Sequence, residues 1–309
     1  MTDEEKKNGT KLKSGGYDTY MNEVIFSNYG KPSFELRGYS KAVRAIAIAV
    51  AGKLNILAYG APGCGKTMLL QGLIPYLTPC LTVEELESVK RLYALAGMEY
   101  NTNNAPFRMP HQTSSIEEMC GGGPNPRPAE ISIAHNGTLF LDEAAEFRTS
   151  VLQMLRVPFE SKSITLSRGG RSTTFPANFQ LAMAVNPCPC GNYGEKDKIC
   201  LCSSKAIELY WKKFSAPLLN RVQIKIHIEK DESEIESVSL EKIREQVANA
   251  YRIQRKAGKF NRDLAFSGDR RKSNIEKVAL TIANMDNREF IEHCDVEEAE
   301  ELVKNPFYL

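Results

Sequence analysis

Eight consecutive residues, Gly60, Ala61, Pro62, Gly63, Cys64, Gly65, Lys66 and Thr67, fit the spacing G-x-x-x-x-G-K-[ST] without a gap. The glycines of such a loop let the backbone turn tightly and aim N–H groups at phosphate oxygens, and the positive end of the following helix adds to the attraction. Lys66 is then placed for the β- and γ-phosphates of ATP and the Thr67 hydroxyl for Mg²⁺, with Met68 next in the same nucleotide-binding stretch. Hydrolysis needs more: an acid to hold the metal through its water shell and another to activate water. The run Leu139-Phe140-Leu141 ends in Asp142 and Glu143, so Asp142 is the candidate metal residue and Glu143 the candidate that polarises water. Asn186, at the end of FQLAMAVN, would orient that water; taken alone it also reads as a turn residue ahead of Pro187. Arg221 follows SAPLLN at the entrance of a last strand. An arginine fixed there on a subunit face can act in trans as an arginine finger, although its local sequence alone reads as a surface arginine.

Two further clusters could do chemistry. Cys188-Pro-Cys190 is followed, after nine intervening residues, by Cys200-Leu-Cys202. Zn²⁺ takes four thiolates tetrahedrally, but C-x-C is less usual than C-x₂-C, so the spacing suits either a structural zinc staple or four reduced thiols. The intervening GNYGEKDKI is too polar to bury itself, which favours the staple. Cys64, inside the glycine-rich loop, is expected to be sensitive to oxidation. The stretch Ser161–Phe175 alternates strand-forming residues about a Gly-Gly tip, a hairpin pattern. It carries Lys162, Arg168 and Arg171 and no acid, which suits the phosphate backbone of DNA or simply keeps an exposed hairpin solvated.

These residues need strands to end at them and helices to begin. LNILAY (residues 54–59) reads as a buried strand before the glycine-rich loop, and MLLQGLIPYL begins as a helix that Pro75 should end or bend. Residues 137–143, 179–186 and 222–229 read as three more strands, the last alternating apolar and polar like an edge strand. Ser40–Gly52 is a helix with Ser40 as N-cap and Gly52 at its C-cap. Strands alternating with helices imply an α/β fold with a parallel sheet, here followed by amphipathic helices alone. The 309 residues suggest about two domains: a polar lead-in over 1–30, an ATPase core over 31–229 and a helical lid over 230–309. Lys+Arg is 40 against Asp+Glu 38, which excludes a polybasic nucleic-acid-coating protein. No apolar run approaches the ~18 residues of a membrane helix, and MTDEEKKNGTKLKSGG is no secretory signal. The expectation is a cytoplasmic protein with no membrane partner.

The longer runs resemble a known family. Residues 106–147, PFRMPHQTSSIEEMCGGGPNPRPAEISIAHNGTLFLDEAAEF, with residues 164–191 and 215–229, are similar to the magnesium-chelatase-like ComM/YifB group of AAA+ ATPases. The resemblance implies an AAA+ P-loop αβα sandwich with a small helical lid, and a homo-oligomeric, usually hexameric ring with ATP at its interfaces. It implies that Gly60–Thr67 is Walker A, Asp142 and Glu143 Walker B, Asn186 sensor 1 and Arg221 the arginine finger. Arg270, near the start of a lid helix with Arg271 beside it, is the best match to sensor 2, although Asn274 and Leu280 stand where the family usually has arginines. DNA is the implied substrate, because ComM-type proteins are branch-migrating helicases; chelatase subunits use the same module on a protein partner. ComM/YifB proteins carry a Lon-protease-like domain ahead of the ATPase. This chain opens almost at the module, so a partner protein supplying that part in trans is the alternative expectation. The hairpin with Lys162, Arg168 and Arg171 would face the ring pore. Residues 107–128 fall where the family has an insert and form a second candidate pore loop. There Phe107 and His111 are expected to pack rather than stack on bases, and Ile116 and Met119 to join the core.

Overall fold

The computed structural model describes residues 24–306 apart from 28, 123–125, 169–170, 196–197, 232, 234–237 and 267–268; most of the 1–30 lead-in lies outside the described residues. Five strands form one parallel sheet: β1 (Ile56–Tyr59), β2 (Phe107–Arg108), β3 (Thr138–Leu141), β6 (Gln180–Val185) and β7 (Ile224–His227), in the order β2-β3-β6-β1-β7. β4 (Ser163–Arg168) and β5 (Arg171–Pro176) pair antiparallel as a separate hairpin. The edge position expected for 222–229 is observed, since among the described residues β7 pairs only with β1.

The two faces of the sheet follow from strand alternation. Ile56, Ala58, Phe140, Ala182, Ala184 and Ile224 enter one apolar cluster, while Leu57, Leu139, Leu141, Leu181, Met183 and Val185 enter another. Both faces are dry, which is why these strands read as continuous apolar runs. On the first face lie α1 (Ser40–Ala51) and α2 (Lys66–Leu77). Nine of the twelve α1 residues are buried, so its Ala, Ile and Val pattern runs almost all round the helix. The other face is covered by short helices, including α6 (Thr149–Met154), α7 (Arg156–Ser161), α8 (Ser204–Lys212) and α9 (Ala216–Leu219), with Trp211 and Phe214 buried beneath them. Between β1 and β3 lie α3 (Val83–Ala96) and the short helices α4 (Ile116–Cys120) and α5 (Glu130–Ile133).

After the sheet come α10 (Leu240–Lys256), α11 (Arg270–Met285) and α12 (His293–Val303). Their apolar faces, with Val247, Tyr251, Val278, Ile282 and Leu302, join the same core as α1 and β1. Each large aliphatic buried there contributes about 1.5–3 kcal/mol, so the C-terminal helices and the sheet stabilise one another. Among the described residues no helix is long and apolar enough to cross a membrane.

Three local expectations change. Ser40 is the first helical residue of α1, with Tyr39 at the cap and no side-chain cap bond. α2 continues two residues past Pro75 to Leu77, tolerable because the prolyl ring disturbs only the last turn. Ile116 is 40% exposed whereas Met119 is fully buried, because α4 turns only one face inward.

Candidate nucleotide site and subunit face

The neighbours β3, β6 and β1 bring three sequence-distant loops together at their C-terminal ends, the end where ligands collect in open parallel sheets. β1 delivers Gly60–Thr67, β3 delivers Asp142 and Glu143, and β6 delivers Asn186. Gly65, at φ +95°, caps α2 in a left-handed conformation that a side chain would oppose. The first N–H groups of α2 have no partner within the helix and are oriented to receive an anion. Tyr39 Oη donates to the Cys64 carbonyl at 3.2 Å and steadies the loop from α1's end.

Lys66 is only 8% exposed. Its Nζ donates to the carbonyls of Gly60 and Ala61, both at 2.8 Å, and to Asn186 Oδ1 at 3.2 Å. These oxygens are neutral. A buried ammonium held by neutral oxygens is short of an anion, and a phosphate is the anion that fits this cradle. Thr67 Oγ1 donates to Asp142 Oδ1 at 2.8 Å, so a hydroxyl and a carboxylate already meet where Mg²⁺, a cation that takes oxygen ligands, would be held. The Glu143 N–H also donates to Asp142 Oδ1, at 3.1 Å. Glu143 itself is exposed and sits at φ +48°, a left-handed conformation that costs a non-glycine residue and is characteristic of functional turns. Burial pushes the half-buried Cys64 thiol up, and the Lys66 cation only partly opposes it. That works against the oxidation sensitivity expected of Cys64, since the thiolate is the reactive form.

The four clustered cysteines do converge. All four Sγ atoms lie within 4.8 Å of one another; Cys188–Cys190 is 3.3 Å, Cys188–Cys200 3.7 Å and Cys190–Cys200 3.6 Å. Tetrahedral Zn–S bonds of ~2.3 Å place sulfurs about 3.8 Å apart, so Cys188, Cys190, Cys200 and Cys202 fit the ion.

Arg221 and Arg270 lie at the other end of the sheet. The Arg221 carbonyl accepts from Asn55 Nδ2 at 2.8 Å, and Asn55 precedes β1 whereas Gly60 follows it. Five residues of strand span about 16 Å, well beyond the reach of an arginine side chain. Arg221 pairs with Glu160 and donates from Nη1 to the Pro217 carbonyl at 2.6 Å. Burial, then Arg270 and Arg156 nearby, hold its guanidinium below the ordinary arginine value. Arg221, Arg270, Arg262, Lys162 and Lys277 share the lining of one cavity of about 600 Å³ with Glu160 and Asp263. The match to sensor 2 therefore stands beside the candidate finger rather than beside Lys66 of its own chain.

Lys162 lies at the base of the hairpin, at the C-cap of α7, and its Nζ meets Asp263 Oδ1 at 2.5 Å. Its charge is thus engaged by the segment ahead of α11. Arg168 and Arg171 are partners in the β4–β5 register next to the tip; their side chains lie outside the described residues. Phe107 packs on Phe140 with ring centres 5.8 Å apart, while His111 is exposed and bonds Thr113 at 2.8 Å. Sequence reasoning missed Asn55 and Tyr39. Asn55 shows only as a polar residue inside an apolar run, and Tyr39 gives no signal at all.

Residues 34–236 match the family described as "Magnesium chelatase, subunit ChlI". The chain is 42% identical over 206 residues to the competence protein ComM of Haemophilus influenzae, covering 64% of this chain and 40% of that one. It is 41% identical over 197 residues to the uncharacterised protein YifB of Escherichia coli, covering 62% and 38%, and 41% identical over 194 residues to YifB of Salmonella typhimurium, again covering 62% and 38%. The matched stretch is about two fifths of those relatives' length.

Proposed function

The chain belongs to the family of magnesium chelatase subunit ChlI, and from that membership we propose that it is the motor module of a ring-forming AAA+ ATPase that moves or remodels DNA in the cytoplasm. The observation that carries the reading is the division of the catalytic groups. Lys66, Thr67, Asp142, Glu143 and Asn186 meet at one end of the sheet, and Arg221 and Arg270 at the other. A second copy of the chain, turned so that its arginine end meets this nucleotide end, completes a site that neither copy holds alone.

In that site the N–H groups at the start of α2 bind the phosphates, and Lys66 exchanges its carbonyl partners for phosphate oxygens. Thr67 and Asp142 hold Mg²⁺, which when bound draws charge from the β- and γ-phosphates. Glu143 accepts a proton from the attacking water, and Asn186 keeps Lys66 and that water in register. Arg221 and Arg270 of the adjoining copy neutralise the charge that develops on the transferred group. Zn²⁺ on the four cysteines fixes the loop after Asn186.

DNA is favoured by the name of the Haemophilus relative, a competence protein, and by the arginines beside the hairpin tip. The second reading, a motor that remodels a partner protein, is favoured by Lys162, whose charge meets Asp263 instead of standing free. The deciding experiment is ATP hydrolysis with and without single-stranded, duplex and forked DNA, with Lys66→Ala as the blank. Several-fold stimulation that disappears in the Arg168→Ala/Arg171→Ala variant supports the DNA motor; a rate indifferent to every DNA sinks it for this chain and leaves the partner-protein reading.

A further inference from the structure

The loop that carries the four cysteines touches the nucleotide site at two points and reaches the strand leading into it at a third. At its start, Asn186 receives the Lys66 ammonium at 3.2 Å, and Cys188 is two residues further on. At Gly191, φ +79°, the backbone lies so close to the phosphate-binding loop that an added Cβ would stand 2.5 Å from the Pro62 ring. At Glu195, a carboxylate oxygen lies 3.7 Å from His227 Nε2, and the His227 ring stacks on Tyr59 at 5.1 Å. Tyr59 is the residue immediately before Gly60.

Little inside the loop accounts for this shape. Tyr193, Ile199 and Leu201 are 53%, 81% and 88% exposed, so the loop has hardly any apolar core of its own. It is anchored at its stem, where Trp211 Nε1 donates to the Pro187 carbonyl at 3.0 Å. Beyond that stem the described residues close the loop through the four sulfurs, within 4.8 Å of one another, and one long amide contact in which Asn192 Nδ2 donates to the Ile199 carbonyl at 3.4 Å. A short polar segment closed by a metal gains its order from the metal.

We propose that Zn²⁺ on Cys188, Cys190, Cys200 and Cys202 turns this loop into a brace on the phosphate-binding loop, so that metal occupancy sets nucleotide affinity. The brace rests on the zinc assignment made above. With the thiolates joined, Gly191 is pressed against Pro62 and Asn186 is held at Lys66. With the metal gone, both contacts lose their support, and the ordering of the phosphate-binding loop has to come from binding itself.

The test has two separate readouts on the purified full chain: zinc content by elemental analysis, and affinity for a fluorescent ADP analogue. Zinc is removed by chelation and then restored, and circular dichroism follows the fold throughout. The expected result is one zinc per chain, an affinity about tenfold weaker after removal, and recovery on adding Zn²⁺ back. Gly191→Val, which drives a side chain into Pro62, should keep its zinc and still bind the analogue several-fold more weakly; it decides the matter if chelation unfolds the chain. One zinc in the chain as purified, with an affinity that stays within twofold of the starting value both after its removal and in Gly191→Val, overturns the brace and leaves the zinc assignment standing. No zinc in the purified chain overturns both.

Discussion

Asn274 Nδ2 donates to the Asn220 carbonyl at 3.1 Å and so ties the C-terminal helix α11 to the residue before Arg221. From the sheet, Asn55 Nδ2 donates to the Arg221 carbonyl at 2.8 Å, and Asn55 Oδ1 accepts the Leu181 N–H at 2.8 Å. The backbone that presents Arg221 is thus gripped from both sides. Arg270 is on the same helix as Asn274, four residues earlier, so the grip also fixes the spacing of the two arginines.

Asn274→Ala should therefore slow ATP turnover by roughly tenfold, the scale on which small displacements of catalytic groups act. Nucleotide affinity should stay unchanged, because Asn274 stands at the far end of the sheet from Lys66. Titration of a fluorescent nucleotide alongside steady-state hydrolysis separates the two. Loss of affinity in step with turnover would assign Asn274 to general stability instead.

The proposed division of the site between copies makes a sharper prediction. Lys66→Ala and Arg221→Ala should each be inactive when pure. Mixed in equal amounts, they should recover roughly a quarter of the wild-type rate, the share of interfaces carrying both intact halves. If Arg221 served the nucleotide of its own chain, no mixture would recover anything.

The local chemistry was legible in the sequence because it is written in short spacings. Gly60–Thr67, Asp142–Glu143 and Asn186 sit at strand ends that the apolar runs mark, and parallel order alone brings those ends together. The address of Arg221 at a strand entrance was legible for the same reason. Lys162 was not, because its partner Asp263 is 101 residues away and only packing of the C-terminal segment reveals it. Asn274 looked like a departure from a family pattern, and its bond to Asn220 emerges only when α11 docks. Pro75 marks the end of α2 only to within a turn, because a proline in the last turn leaves two more residues helical.

Glu143 combines an exposed carboxylate with a left-handed backbone, and two substitutions pull these apart. Glu143→Gln should cut hydrolysis by about a hundredfold or more, the usual worth of a general base, with nucleotide binding and melting temperature retained. Glu143→Gly should lose hydrolysis equally but gain up to about 1 kcal/mol of stability, because glycine accepts φ +48° without the side-chain clash. Chemical denaturation of the three proteins checks the stabilities and steady-state hydrolysis the rates, and an unchanged rate in Glu143→Gln would remove it from the proton-accepting role.

His135 makes the stability of the fold sensitive to acid. It is 9% exposed, and its Nδ1 accepts the Asn178 N–H at 3.0 Å, a role that requires that nitrogen unprotonated. Burial first, and the Lys53 cation second, push its pKa down to about 4. The unfolded chain titrates near the ordinary histidine value of ~6.5, so between these two values it binds a proton that the folded chain refuses. Stability contributed this way is whole above the unfolded value and falls as the pH drops towards the folded one, by up to about 1.4 kcal/mol per pH unit. His135→Asn keeps an acceptor oxygen and removes the titration. Urea denaturation at pH 7 and pH 5 should show the wild type losing about 2 kcal/mol more than the variant over that interval, since every other titrating group is common to both. Equal losses would mean that His135 takes up its proton in the folded chain, and that the Asn178 N–H has another acceptor at low pH.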